Sequence, residues 1–368
     1  MLIVYMFDTG FTLRGILPAL EASCVLRRNG VGTFSLRVPE GKMWHRFQPG
    51  WHLALQEGDK VMMTGIPDSI TTESQAGVRT VTLTGRSHAR WLADALTLPS
   101  PGKAPDDQSD TAYYAISGEA HTLAARLITE QCGQSAHPRL RRPIMLRTSV
   151  TTSRDVSMKA RFTPVIDEMQ KILGDELTMS TTLTREGVTV NLEKTRDMTR
   201  RIRLDDTSGA ITSWKLERSA PTVTDVLVAG GGQGTDRTLH LTSGNENEWG
   251  TRAMEFKDRR DTTSPADLEK AGQEALHAGQ AKASITLDIT DSLTRRFGTD
   301  FYLGDRITVA LADGVTVQDV VQSAEVKYSP DGRVVKLQVG PVAEDVDPPA
   351  LVRQVRELQR QLRHLQTI

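Results

Sequence analysis

The sequence predicts a mainly β protein with α+β insertions and a short C-terminal helix. Three observations carry that class. Residues 1 to about 95 and the stretch 301–340 alternate apolar and polar side chains with period two. Each of these regions holds a Gly-Asp-basic corner, Gly58-Asp59-Lys60 and Gly304-Asp305-Arg306. Helical spacing is confined to segments between them and to a terminal heptad pattern.

The first strand is read in MLIVYMFDTGF, whose apolar run is broken by Asp8 and which has no basic leader, so it is not taken as a signal peptide. Cys24–Arg28 runs into Asn29-Gly30, a strong turn signal. In GTFSLRVP, Phe34, Leu36 and Val38 point one way and Thr33, Ser35 and Arg37 the other. Strands follow at Leu53–Leu55, Lys60–Thr64, Ile70–Thr72 and Val78–Thr84. Many short strands with glycine corners indicate a small barrel or sandwich, which buries one face and manages the sheet edges. In each corner Gly supplies a positive φ and Asp binds local backbone before the next strand begins.

Residues 98–110, LPSPGKAPDDQSD, read as an exposed loop or linker. A helix is expected over Glu119–Ile128, with Leu123, Leu127 and Ile128 on one side. Another is expected over Pro164–Leu173, with the stripe Val165, Met169, Ile172 and Leu173. Strands at Leu177–Leu183 and Val188–Leu192 complete an α+β unit. ITSWKLERS, VTDVLVAG and Arg237–Leu241 return to strands. Ser264–His277 is the clearest internal helix, with Ser264 as cap, Pro265 in the first turn and Asp267 and Glu269 near its positive end. ASITLDIT and the 301–340 region supply the last strands. The expected divisions are 1–97, 98–200, 201–284, 285–345 and 350–368.

The final stretch, ALVRQVRELQRQLRHLQTI, places Leu351, Val355, Leu358, Leu362 and Leu365 at alternating spacings of four and three. Such a short helix is marginal alone. The stripe therefore implies either association of several copies, making these five the expected oligomerisation residues, or packing onto the chain's own domain.

Composition narrows the function. The 368 residues imply about two or three domains. With 45 basic and 46 acidic residues, a globally basic nucleic-acid binder is disfavoured while a local patch stays open, and no specific nucleic-acid recognition is expected. No stretch approaches a membrane span, and the chain reads as soluble, without stable membrane insertion. The two cysteines, Cys24 and Cys132, read as buried thiols, since neither has metal spacing or an assignable base.

No catalytic, metal or cofactor-binding residue is nominated. VLVAGGGQGTDRTLHL, with Gly230, Gly231, Gly232 and Gly234, superficially offers a phosphate loop, but a strand rather than a helix follows it, so a glycine-rich corner is expected. His45, His52, His88, His121, His137, His240, His277 and His364 show no metal spacing. Asp167 and Glu168 leave a helix in different directions and make no ready dyad. Arg139, Arg141 and Arg142, and Arg196, Arg200, Arg201 and Arg203, stand near Asp197, Asp205 and Asp206. They read as a solvated or interchain salt-bridging face. Trp44, Trp51 and Trp91 are core or interface anchors.

In order, GTFSLRVP, LALQEGDKVMMTGIP with VTLTGRS, VLVAGGGQGTDR, and YLGDRITV with VVKLQVG span residues 32–340. In this arrangement the chain resembles the tail-hub or minor tail proteins of long-tailed bacteriophages, related to the N-terminal hub part of tail-associated lysins. The resemblance implies two tail-tube-like β-barrel domains with others inserted between them. It also implies a homotrimeric ring that matches a hexameric tail tube at the tail tip or baseplate. Implied partners are the tail tube or distal tail protein, the tape-measure protein, and a tip or fibre protein. The ring would gate or surround the channel for DNA, in the virion and, during assembly, in the host cytoplasm. The sequence shows no large lysin domain after Gly340, so a structural protein and not an enzyme is expected. The alternative is a peptidoglycan hydrolase or a carbohydrate-binding adhesin.

Overall fold

The computed structural model describes residues 2–41, 47–75, 78–244, 248–260, 262–289, 295–312 and 314–340. Trp44, His45, His364 and the heptad residues Leu351, Val355, Leu358, Leu362 and Leu365 lie outside them. The chain divides into two compact units, one of Met1–Trp214 with Thr286–Val339, the other centred on Lys215–Ile285.

The strands of the N-terminal region are β1 (Leu2–Phe7), β2 (Leu13–Leu17), β3 (Glu21–Arg27), β4 (Thr33–Pro39), β5 (His52–Glu57), β6 (Lys60–Gln75) and β7 (Val78–Ser87). After the short α1 (Arg90–Ala93) come β8 (Tyr114–Glu119), α2 (Ala120–Gln131), β9 (Ile144–Arg147), β10 (Asp155–Ala160), α3 (Val165–Leu173), β11 (Leu177–Thr184) and β12 (Gly187–Lys194). The brief β13 (Arg203–Asp205) and β14 (Ile211–Ser219) lead to β15 (Asp225–Ala229), β16 (Leu239–Ser243), β17 (Met254–Asp258) and α4 (Pro265–Ala278). The chain returns through β18 (Lys282–Ile289), β19 (Arg306–Ala310), β20 (Thr316–Ser329) and β21 (Gly332–Val339).

Thirteen strands form one sheet. Its path runs β14-β18-β21-β20-β3-β4-β7-β6-β5-β1-β2, with β19 on β20 and β13 on β19. The protein is mainly β with α+β insertions, but the two expected β-barrel domains are not formed. The reason lies in β3. One of its edges pairs with β4, and the edge that closure of the N-terminal strands would need pairs with β20, from Ala22↔Tyr328 to Arg27↔Ser323. The two strand-rich regions therefore continue each other, and the path ends openly at β2 and β14.

Alternation sets the two sheet faces. Ala22, Cys24 and Leu26 of β3 and Phe34, Leu36 and Val38 of β4 are buried, as the sequence predicts for β4. Pro67, which has no N–H to give a ladder, sits where the β6–β7 register shifts between Pro67 and Ser69.

The α+β part of this unit builds its own core. Leu123, Leu127 and Ile128 of α2 meet Val165, Met169, Ile172 and Leu173 of α3, with Val188 and Val190 beneath them. Residues 98–110 take an irregular path, yet they are tied down. The buried Gln131 side chain accepts the Leu98 N–H at 2.8 Å and donates to its carbonyl at 3.1 Å. Gln108 accepts from Ser100 N at 2.8 Å and donates to Ala104 O at 2.9 Å.

In the second unit, β16, β15 and β17 make a three-stranded sheet, and α4 packs Leu268, Ala271 and Ala275 against Val226 and Val228. Ser264 stands at the N-cap but its side chain makes no cap bond. Thr262 organises the turn instead: its Oγ1 accepts from Ser264 N at 3.1 Å and donates to Asp267 at 2.9 Å. Among the described residues no helix is long and apolar enough to cross a membrane.

Candidate functional site

Both Gly-Asp corners have the backbone the sequence implies, with φ of +57° at Gly58 and +85° at Gly304. They also meet. Lys60, at the end of the first corner, places its Nζ 3.8 Å from the ring centroid of Tyr302, two residues before Gly304, and donates to the Tyr302 hydroxyl. In the second corner Asp305 is buried. Its carboxylate accepts the Tyr302 N–H at 2.8 Å and the Arg196 Nε at 2.7 Å, with a further bond from Arg196 Nη2. That pairing holds the Arg196 guanidinium above its ordinary range.

Glu57, just before the first corner, gathers the C-terminal strands. It accepts Arg296 Nη2 at 2.6 Å and the Tyr328 hydroxyl at 2.8 Å, and pairs with Arg333 Nε at 3.2 Å. Burial pushes the Tyr328 hydroxyl up. These contacts join residues more than two hundred positions apart, so local sequence pattern cannot signal them.

The Asn29-Gly30 turn docks the α+β part. Asn29, at φ +52°, donates from Nδ2 to Leu177 O at 2.9 Å and accepts the Met179 N–H at 2.7 Å, as a neighbouring strand would. Arg28 adds bonds to the Gly174 and Leu177 carbonyls, both at 3.2 Å.

The sheet face opposite the core is polar and nearly balanced in charge. The registers align Val334, Lys327, Ser23, Ser35 and Thr84 in one row across β21, β20, β3, β4 and β7. The next row holds Lys336, Glu325, Val25, Thr33 and Arg86. Charges on this face pair locally: Lys327 with Glu325 at 2.9 Å, Arg86 with Asp68 at 2.9 Å, and Arg37 with Glu21 at 3.5 Å. One row rich in hydroxyls and one of mixed charge give a broad surface without a dominant sign.

The groups most reminiscent of catalysis are engaged in packing. Cys24 and Cys132 are buried, and desolvation pushes both thiols up to about 12. His52 Nδ1 lies 3.0 Å from His88 Nε2, and His88 Nδ1 lies 2.9 Å from Thr64 Oγ1, which reaches Thr181 Oγ1 at 3.0 Å. Phe11 stacks on His52 and Trp91 packs edge-on against both imidazoles. Burial lowers the pKa of His52 to about 4 and of His88 to about 3. Sequence reading missed this pair because its members are 36 residues apart and bear no motif.

The glycine-rich stretch is a self-satisfied corner. Gly230 N donates to Thr238 O and Gly231 N to Thr262 O, both at 2.8 Å, and Arg237 Nε binds the Gly230 carbonyl at 2.9 Å. The donors a phosphate would need from these two glycines are already used. The arginines serve separate local roles. Arg196 holds Asp305, Arg203 pairs with Asp205, Arg142 binds the Trp91 carbonyl, and Arg141 binds the Ala136 carbonyl.

A family model described as Siphovirus ReqiPepy6 Gp37-like protein matches residues 3–341. No curated protein matches the chain. Among solved structures, a tail protein from Neisseria meningitidis MC58 aligns with a TM-score of 0.61 at 14% identity, over 92% of this chain and 96% of that one. The 43 kDa tail protein of prophage MuSo2 from Shewanella oneidensis aligns with a TM-score of 0.58 at 11% identity, covering 92% and 98% of the two chains. Prophage tail protein gp18 from Listeria monocytogenes EGD-e gives 0.51 at 9% identity, covering 98% and 99%. At these identities the structures show a shared fold. The match over nearly the whole described chain shows more: it belongs to the Siphovirus ReqiPepy6 Gp37-like protein family, and its fold is that of phage tail proteins.

Proposed function

We propose that the chain is a structural, non-catalytic hub of a phage tail tip, and that three copies form a ring joining the tail tube to distal tip or fibre proteins. The observation that carries this reading is the continuous sheet running from β18 to β5, with one face buried and the other built of hydroxyls and locally paired charges. A surface of that kind suits a conduit. Retention of DNA grows with the number of phosphates neutralised, and a charge-balanced face offers few uncompensated cations. The junction of the two corners supports the same reading, because it fixes the N- and C-terminal strands into one rigid plate instead of leaving a cleft between them.

In this arrangement the ring surrounds or gates the channel through which the tape-measure protein and then DNA pass. The decisive experiment is the solution mass of the purified full-length chain. Three times the 40.5 kDa chain mass supports the ring. A stable dimer, or release of sugars or peptides from purified cell wall by the protein, rejects it in favour of a cell-surface hydrolase or adhesin.

A further inference from the structure

Among the described residues, the sheet of the second unit is covered by helix on one face only. Its other face is apolar. Leu239 and Leu241 of β16 and Met254 and Phe256 of β17 are 58%, 53%, 66% and 57% exposed. The registers set Leu241, Leu227 and Phe256 side by side across the three strands, with Leu239 beside Ala229 and Met254 beside Asp225. In β16 the usual alternation is reversed. His240 and Thr242 turn toward α4, where Glu269 binds them at 2.6 Å and 3.0 Å, while both leucines turn away from it. A strand that gives its polar side chains to its covering helix and its leucines to the opposite side is patterned for cover on both faces. Exposed apolar patches of this kind on soluble proteins mark contact sites.

We propose that this face seats the chain's own C-terminal segment, residues 350–368, as a second helix opposite α4, with Leu351, Val355, Leu358, Leu362 and Leu365 against Leu227, Leu239, Leu241, Met254 and Phe256. Size argues for this occupant. α4 covers the first face with 14 residues, and the amphipathic segment 350–368 has 19. From Leu351 to Leu365 a helix at ~1.5 Å per residue runs roughly 21 Å, close to the ~17 Å of a five-residue strand, and one helix diameter of ~10 Å spans three strands. The stripe's polar positions, Arg353, Arg356, Arg360 and Arg363 among them, then stay toward water. A segment too short to be a stable helix alone gains a ready apolar platform. Of the two roles open to the stripe, the exposed face favours packing within the chain over bundling between copies. The inference does not depend on the ring.

The test is cysteine pairing in the full-length chain, where buried Cys24 and Cys132 stay silent. Phe256→Cys is combined in turn with cysteine at positions 351, 355, 358, 362 and 365, and, as controls, with Arg353→Cys or Arg360→Cys. All are oxidised and separated under denaturing, non-reducing conditions. The expected result is a bridge within one chain at one or more stripe positions, forming roughly tenfold faster than in the controls, because docking adds to the effective concentration that tethering alone provides. Bridges only between chains, equal rates in the controls, or no bridge at any stripe position overturn the proposal. The native mass of the same samples reads the ring separately, so failure of one does not masquerade as failure of the other.

Discussion

Arg196 grips Asp305 across 109 residues, with Nε 2.7 Å from Oδ1, and the two partners are unequally exposed: 47% of the arginine side chain meets solvent but only 4% of the aspartate. The asymmetry sets an order of damage. Arg196→Met strands a buried carboxylate and is expected to cost about 3–5 kcal/mol, whereas Asp305→Asn leaves a guanidinium that water can solvate and costs about 1–3 kcal/mol. Urea unfolding of both variants checks the order, and equal losses would contradict it.

The two corner glycines are not equivalent. At Gly58 an added Cβ meets nothing within 4 Å, so Gly58→Ala costs only the left-handed backbone, about 1–2 kcal/mol. At Gly304 the same Cβ would lie 1.9 Å from Thr178 Oγ1, adding overpacking of about 1–3 kcal/mol. Gly304→Ala should therefore melt well below Gly58→Ala in a thermal scan.

The His52–His88 pair predicts an acid-side loss of stability. Both pKa values are depressed by burial, to about 4 and about 3, from 6.5 when unfolded. Above pH 6.5 neither state binds the extra protons and the contribution is complete. As pH falls from there toward 4 the unfolded chain takes up protons first, and stability drops by at most ~1.4 kcal/mol per pH unit for each histidine. Denaturant midpoints at pH 7.5, 6 and 5 measure the slope. The double variant His52→Gln/His88→Gln should flatten it. The lowered carboxylates, such as Asp68, whose burial is outweighed by bonds from Arg86 and Arg90, add their loss only near and below the ordinary carboxylate pKa of 3.8.

Arginines added to the hydroxyl-rich row should convert the polar face into a DNA trap without unfolding it. Ser35→Arg with Thr84→Arg should cost about 1–2 kcal/mol together, because the two positions face each other across β4 and β7 and like charges there repel. The variant should retain duplex DNA at low salt and release it as salt rises, while the unaltered chain leaves it unshifted. A gel-shift titration at two salt concentrations reads both.

Much of the local architecture was legible. Alternation placed Phe34, Leu36 and Val38 inside, and helical spacing picked out the buried stripe of α3. Asn29-Gly30 marked its turn, and the glycines marked positive φ at both corners. The partners were not legible. Nothing in Cys24 or Val326 says that they share a register across three hundred residues, and Lys60 and Tyr302 carry no mutual signal. Period two tells a strand which face is wet, but not which edge is taken. For that reason two strand sets resembled two barrels when they form one open sheet. The reversed alternation of β16 was visible in LHLTS, but its meaning needed the position of Glu269.

The pairing of β3 with β20 also has a cost in time. On the ribosome β3 is complete when Arg27 has been added, yet its partner edge does not exist until the chain passes Ser323. At ~5–20 residues per second that delay is roughly 15–60 s, during which an unsatisfied strand edge is open to any other nascent chain. Translation speed and chaperone supply, rather than final stability, would then decide how much of this protein reaches the virion-ready state, and fragments that stop before β20 would be the species that precipitate.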